Sequence, residues 1–367
     1  MNYINTIKTA CIYFPFIALL FTIPFILHQY HKYGSINKLR VLIVYSFILY
    51  LICIYFLVIL PLPNIKTMTP PKNNMIRLIP FGFILDIINE TTFRFNDPST
   101  YLKSLIDPCI YTILFNVVMT IPFGVYLRYY YKCSKKKTIL LTFLLSLFFE
   151  LTQLSRLYFI YPYQYRVFDV DDLMTNTLGG LIGYQIFGFI SNLLPTRDEI
   201  DKESYIAGQN VSGLRRITLF CLDLFIWILL SANLMAITGY DYMPLIIFVI
   251  CYLIIPLVNK KQTIGSKFLN INLQNNKCQI LFNFIRMIYL YLYYLVIPIS
   301  LLKTANKVVI KLNMETHGSI MLYFLVFCIM SLYLIINIII LIRNNKIYYD
   351  RIFKTKYIST ITNKESE

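Results

Sequence analysis

Apolar positions in this chain come in long unbroken runs, not at the alternation of a half-buried strand. Nine runs approach spanning length: Ala10–Leu27, Val41–Leu60, Pro108–Leu127, Thr138–Leu154, Leu173–Leu193, Ile217–Ile237, Tyr240–Val258, Leu281–Leu301 and Ser319–Ile342. A helix of about twenty residues covers the roughly 30 Å of a bilayer's hydrocarbon core. The pattern predicts an all-α fold, a polytopic transmembrane helical bundle of about nine spans. The seventh run is the least regular, because Pro244 and Pro256 interrupt it. The first run follows Lys8 much as a signal peptide would. No small-x-small cleavage site follows Leu27, and a spanning helix tolerates Pro15 and Pro24, so it is read as a retained span.

Charge sits between the runs. Lys32, Lys38 and Arg40 separate the first two, and Arg128, Lys132, Lys135, Lys136 and Lys137 lie between the third and fourth. Arg197, Lys202, Arg215 and Arg216 follow the fifth; Lys260, Lys261, Lys267 and Lys277 follow the seventh; Arg343, Lys346, Arg351, Lys354 and Lys356 fill the tail. With nine spans all five groups fall on one side, which the positive-inside rule makes cytoplasmic. The N-terminus is then outside and the C-terminus inside. The loop after the second run weighs less, since Lys66, Lys72, Arg77, Arg94 and Lys103 are mixed there with Asp86, Glu90 and Asp97. Lys303, Lys307 and Lys311 run against the assignment. Pro195–Gly213 is the longest polar, glycine-containing stretch between runs. It divides the chain into a first transmembrane module (1–194, with an extra N-terminal span), a cytoplasmic linker (195–213) and a second module with a cytoplasmic tail (214–367).

Composition narrows the class further. The chain is 57% hydrophobic and 14% charged, with a formal net charge of +16. Basic residues clustered at the ends of apolar runs point to a lipid bilayer as partner and away from nucleic acid. Cys11, Cys53, Cys109, Cys133, Cys221, Cys251, Cys278 and Cys328 form no CxxC pair and mostly lie inside apolar runs. They are read as small buried hydrophobes, with neither a disulfide framework nor a zinc site. His28 and His31 are three apart at a helix end, but two imidazoles do not make a metal site. No cofactor is indicated.

One stretch departs from the pattern. Phe148–Tyr184 places Glu150, Gln153, Arg156, Arg166, Asp169, Asp171, Asp172, Asn176, Gly179, Gly180 and Gly183 at the ends of two apolar runs and in their connection. Ionisable groups at membrane depth are costly and need partners or a purpose. On helices, Glu150 and Gln153 share a face that Arg156 continues, and so do Asp172 and Asn176. The glycines allow another helix to approach closely. The fourth and fifth spans are therefore expected to pack together, with Arg156 or Arg166 as counter-charge to the carboxylates. Three readings of this cluster stay open. It is a buried network that fixes helix packing, an outward-facing groove for a polar molecule, or a pair of carboxylates acting as general acid and base. No Ser, Cys or His nucleophile stands near in sequence. Four carboxylates would suit a hard cation, but no ligand-spacing motif accompanies them. Asn116, in the third span, is expected to bond to a neighbouring helix.

ELTQLSR followed by RVFDVDDLMTNTLGGLIGY resembles the signature of the VanZ-like family of bacterial membrane proteins. RLIPFGFI (Arg77–Ile84) and LFNVVMTIPFGVYL (Leu114–Leu127) resemble its other two landmarks, in the family's order, over roughly residues 40–190. The resemblance implies a small helical membrane domain linked, in the family's namesake, to resistance to the glycopeptide teicoplanin. Carried over by position, its polar signature is Glu150, Gln153, Arg166, Asp169, Asp172, Asn176 and Gly180.

GLRRITLFCLDLF, TIGSKFLNINL and YYDRIFKTKYI, within roughly residues 208–358, resemble the RDD family, named for one arginine and two aspartates. Arg216, Asp223 and Asp350 stand where those residues would, and Arg286 sits early in the eighth span. The resemblance implies transport, in some members cation/proton antiport. Arg–Asp pairs that hold helices together are the competing reading.

Together these readings describe a VanZ-like half fused to an RDD-like half in a bacterial cytoplasmic membrane. The favoured expectation is non-enzymatic protection of the cell envelope, through a lipid-linked envelope molecule or a glycopeptide bound at the outward polar cluster. A transporter using Asp223 and the arginines, or a membrane-embedded enzyme using Glu150 and Asp172, is the alternative.

Overall fold

The computed structural model describes residues 3–71, 75–94, 96–105, 107–274, 279–313, 315–344 and 348–361. Lys72, Lys277, Cys278, Lys346 and the side chain of Arg343, which entered the charge and cysteine readings, lie outside the described residues. All nine apolar runs are helical. Seven helices are long and apolar enough to cross a membrane: Ile4–Tyr33, Lys38–Ile59, Pro108–Tyr129, Lys135–Leu154, Gly213–Thr238, Ile280–Lys311 and Thr316–Leu341. Val170–Leu193 reaches that standard only together with Arg197–Gly208, across a 52° bend. Its polar first turns lower its hydropathy. Met243–Val258 is a shorter apolar helix that would cover only about 24 Å. The described residues thus give seven or eight candidate spans rather than nine, in a polytopic helical fold.

The chain forms two compact units, Met1–Phe21 with Lys38–Ile200, and Thr22–Asn37 with Asp201–Glu367. Helix α1 (Tyr3–Tyr33) contributes its first part to one unit and its last part to the other. The stretch expected to be a linker folds largely as helix α8 (Arg197–Gly208), in which Ile200 and Ser204 are buried.

The first unit is built from α2 (Lys38–Ile59), α3 (Gly82–Glu90), the short α4 (Tyr101–Ser104), α5 (Pro108–Tyr129), α6 (Lys135–Leu154) and α7 (Val170–Ile190). Ser134 caps α6 by accepting from Lys137 N, and Asp169 caps α7 by accepting from Asp171 N. Such caps satisfy amides that have no partner inside the helix. Glycine fixes how α5 meets α7: a Cβ at Gly124 would lie 1.9 Å from Gly180 O, and one at Gly179 would lie 2.1 Å from Val117 O. Only glycine lets the backbones come so near. Apolar packing around Ile54, Met119 and Phe149, and around Phe123, Leu127 and Cys133, ties α2 and α6 to the same assembly. Strand β1 (Ile76–Arg77) pairs in parallel with β2 (Phe168–Asp169), setting Arg77 opposite Asp169.

The second unit holds α9 (Gly213–Thr238), α10 (Met243–Val249) and α11 (Ile255–Val258) joined by a π-turn, and the short α12 (Ile264–Phe268). A second π-turn joins α13 (Gln279–Tyr291) to α14 (Ile297–Lys311), and α15 (Thr316–Asn344) and α16 (Tyr348–Ile352) complete the helices. Strands β3 (Ile271–Gln274) and β4 (Lys356–Ser359) pair antiparallel, Ile271 opposite Ser359. An all-α reading of apolar runs did not anticipate this ribbon. Leu269 and Ile271 are fully buried, packed with Tyr30, Val211 and Leu219.

Burial runs opposite to that of a water-soluble domain. Phe189 and Leu20 are 87% and 76% exposed, while Arg40 and Arg215 are fully buried. Large apolar side chains turned outward and polar ones turned inward suit a hydrocarbon surround.

Candidate functional site

In the first unit a cavity of about 320 Å³ lies among α2, α5, α6, α7 and the loop before β2. Leu57 and Val58 of α2, Phe115 and Met119 of α5 and Phe149 of α6 supply apolar wall. Asn116, Glu150, Gln153, Arg166, Asp172 and Asn176 supply polar wall. Helical spacing explains the convergence: Glu150 and Gln153 share one face of α6, and Asp172 and Asn176 share one face of α7. Glu150, Gln153 and Asn176 are all nearly excluded from solvent.

The polar side chains are held by specific bonds. Asn116 Nδ2 donates to Asp172 Oδ1 at 2.7 Å. Asn176 Nδ2 donates to Ser146 Oγ at 2.9 Å, and Ser146 Oγ donates to the Asp172 carbonyl at 3.3 Å. Thr120 Oγ1 donates to the Asn176 carbonyl at 2.7 Å, across the glycine seam. Glu150 Oε2 accepts from Asp169 N at 3.0 Å, which fastens the end of α6 to the start of α7. Gln153 Nε2 donates to Val58 O, and Arg166 Nη2 donates to Leu60 O, so both also brace the end of α2. Arg166 lies within electrostatic reach of Glu150 and Asp172, the counter-charge position.

These bonds use one oxygen of each carboxyl group. Asp172 Oδ2 and Glu150 Oε1 have no protein donor among the described residues. Asn176 Oδ1 is buried with no partner among the described residues. A buried acceptor without a donor is costly, on the order of 1–3 kcal/mol, so Asn176 Oδ1, beside two carboxyl groups that each have an oxygen uncommitted, specifies what would complement the cavity.

The other expected members lie elsewhere. Arg156 donates to Pro162 O at 3.0 Å and covers the Phe159 ring, so it closes the loop after α6 and does not supply the counter-charge. The Asp169 carboxyl turns away from the cavity, accepting from Asp171 N at 2.9 Å with Arg77 at 3.9 Å. Burial raises its pKa, against the lowering effect of the Asp171 amide. Gly180 packs on Thr142, whose Oγ1 would lie 2.2 Å from an added Cβ. Asp171 accepts from Phe81 N at 2.7 Å and Phe83 N at 2.8 Å, and so anchors the RLIPFGFI segment to the start of α7. Ser146 and Thr120 had no place in the sequence reading. Their signal was spacing, since Ser146 precedes Glu150 by four residues and Thr120 follows Asn116 by four.

In the second unit, Asp350 pairs with Arg216 and also accepts from Arg286 Nη2 at 3.4 Å and Tyr357 Oη at 3.1 Å. Arg286 also donates to Tyr357 Oη, and the Arg216 guanidinium lies 3.9 Å from the Tyr357 ring centroid. Burial raises the Tyr357 pKa, which keeps the phenol a donor. Asp223 is held separately, accepting from Thr263 Oγ1 at 2.7 Å and Gly265 N at 2.9 Å. Arg216, Asp223, Arg286 and Tyr357 border one small cavity of about 50 Å³. Arg215, passed over in favour of its neighbour, is a hub. It donates to the carbonyls of Gly208, Leu269 and Asn270 and to Ser359 Oγ, tying α8, the turn before β3 and β4 together. His31 stacks on Phe268 and its Nδ1 donates to the Phe268 carbonyl. No group of three or more His, Cys, Asp or Glu side chains able to hold a metal ion occurs among the described residues.

The segment that forms this first cavity also has a family likeness. Residues 47–191 match the VanZ/LLP1 family model. That segment, α2 to α7, contains every residue lining the cavity. With the helices above, the chain is a multi-pass membrane protein in which this segment is similar to the VanZ/LLP1 family. No RDD family match accompanies it. No curated protein and no solved structure matches the chain.

Proposed function

We propose that this protein binds a polar or lipid-linked envelope molecule in the Glu150–Asp172–Asn176 cavity, and so lowers the sensitivity of a bacterial cell to teicoplanin-like glycopeptides. The observation that carries the reading is Asn176 Oδ1, buried without a donor, beside the uncommitted oxygens of Glu150 and Asp172 at a cavity of about 320 Å³. A network whose sole task was packing would gain by satisfying them. The cavity lies at the last turn of α6 and the first turns of α7, and Arg128, Lys132, Lys135, Lys136 and Lys137 at the opposite ends of α5 and α6 support placing the cavity end on the outer face. The lining contains no Ser, Cys or His, which favours binding over nucleophilic catalysis.

A second reading, transport by the second unit as an RDD-type module, draws support from Asp223, Arg216 and Arg286 bordering one cavity, with Asp350 paired to both arginines. Both Asp350 oxygens and both Asp223 oxygens already have partners, so this group is the better candidate for a structural network.

The test is teicoplanin susceptibility of a deletion strain carrying wild type, Glu150→Gln or Asp223→Asn at matched membrane abundance. Wild type and Asp223→Asn should restore tolerance and Glu150→Gln should not. A deletion that leaves susceptibility unchanged sinks the resistance reading.

A further inference from the structure

We propose that the ligand of the α5–α6–α7 cavity carries a primary ammonium group on a lipid headgroup. This rests on the ligand-binding reading above and names the chemistry the site selects. Three residues that line the cavity each have an acceptor without a protein donor among the described residues: Glu150 Oε1, Asp172 Oδ2 and Asn176 Oδ1. Asn176 decides the matter, because it is only 4% exposed and its amide nitrogen is already committed to Ser146. The oxygen left over has no donor among the described residues, and a donor arriving in the cavity would satisfy it. An R–NH3⁺ group offers three N–H donors and a positive charge, one donor for each open acceptor. Two carboxyl groups beside the single guanidinium of Arg166 make the lining richer in acceptors than in fixed positive charge, and a cation entering it draws both carboxyl groups towards their ionised form, which favours a cation over a neutral polyol.

The depth of the site points to a lipid. Glu150 and Gln153 occupy the last turn of α6, and Asp172 and Asn176 the first two turns of α7, so the acceptors lie at one end of the spans, where headgroups reside. Leu57, Val58, Phe115 and Met119 provide apolar wall for the glycerol and the start of the acyl chains. Arg166 stands at the same wall, where a guanidinium suits the phosphate of an aminoalkyl phosphate headgroup.

The experiment uses the purified full chain in detergent, titrated with dihexanoyl phosphatidylethanolamine, phosphatidylcholine and phosphatidylglycerol and with free phosphoethanolamine, followed by thermal shift and native mass spectrometry. Phosphatidylethanolamine should bind at least tenfold more tightly than phosphatidylcholine, whose trimethylated nitrogen keeps the charge but has no N–H. Glu150→Gln and Asp172→Asn should each remove most of that preference. The comparison of lipids in the wild type needs no variant to fold. Equal binding of the ethanolamine and choline lipids overturns the ammonium proposal. If both still weaken in the folded variants, the cavity remains a binding site for some other headgroup. If neither variant alters any lipid's binding, the binding reading itself falls as well. Phosphoethanolamine matching the lipid in affinity would uphold ammonium recognition and overturn the lipid source.

Discussion

Gly183→Ala isolates how far the α5–α7 seam governs the site. A Cβ at Gly183 would lie 2.0 Å from Ile121 O and 2.9 Å from Ile121 C, both backbone atoms that cannot rotate away. Ordinary contact begins at 3.4 Å, so the helices must part there by about 1.4 Å (3.4 − 2.0). The Thr120–Asn176 and Asn116–Asp172 bonds cross the same pair of helices at 2.7 Å each. Parting the helices as rigid rods would stretch both past about 4 Å, beyond hydrogen-bond reach. Overpacking costs about 1–3 kcal/mol and each lost bond about 1, against about 1 gained from replacing glycine in a helix. The net is destabilisation on the order of 3 kcal/mol, or about 6–12 °C in unfolding temperature for a domain of this size. Gly188→Ala is the matched control on α7. Its Cβ meets the end of the flexible Arg128 side chain, at 2.6 Å from Nη1, so the variant should stay within about 1 kcal/mol of wild type. Thermal unfolding of the purified protein in detergent reads both. Equal shifts for the two variants, or a wild-type transition for Gly183→Ala, would refute the packing argument.

Other substitutions test other links. Asp350→Asn strips the counter-charge from two buried guanidinium groups and should cost about 3–5 kcal/mol. Asp223→Asn keeps an acceptor for Gly265 N and should cost less, and the order of the two unfolding temperatures checks this. Asp171→Ala leaves the amides of Phe81 and Phe83 without their carboxylate, at a cost on the order of 3 kcal/mol, and should speed hydrogen exchange at those two amides, just before and within the first turn of α3, more than at the rest of that helix. Asp169 has a folded-state pKa raised by burial, so the native state holds its proton more tightly than the unfolded chain. Its contribution to stability must fall as pH rises from the ordinary Asp pKa of about 4 through the raised value. Asp169→Asn, which keeps the cap on Asp171 N, should flatten that part of the stability–pH curve; an unchanged slope would exclude burial as the cause.

What the sequence revealed follows from which forces are local. Run length alone gives helices in hydrocarbon, so every apolar run became one. It fails where a run is short and interrupted, as at Met243–Val258, because proline and a π-turn change the rise but leave hydropathy unaltered. Periodicity on single helices brought Glu150, Gln153, Asp172 and Asn176 towards one place. It could not show that Arg156 turns back onto Pro162 while Arg166 reaches the cavity, since loop direction is set by tertiary contacts. The β3–β4 ribbon was hidden for a related reason. Its two strands are four residues each and lie more than eighty positions apart, so neither carries enough pattern to declare itself.

The neighbours Asp171 and Asp172 show why composition could locate the site but not apportion its roles. About 100° of helix rotation separates them, so they face different partners. Asp171 has both oxygens held by the amides of Phe81 and Phe83, which commits it first to structure. Asp172 lines the cavity with one oxygen fixed by Asn116 and the other uncommitted, so it is both oriented and available. Glu150 repeats that arrangement, with one oxygen on Asp169 N. A binding group needs this combination, because an unheld carboxylate loses entropy on engagement and a fully held one has nothing to offer. By that criterion Glu150 and Asp172 are the first-unit carboxylates to neutralise in search of function, and Asp171 is the one to neutralise in search of the fold.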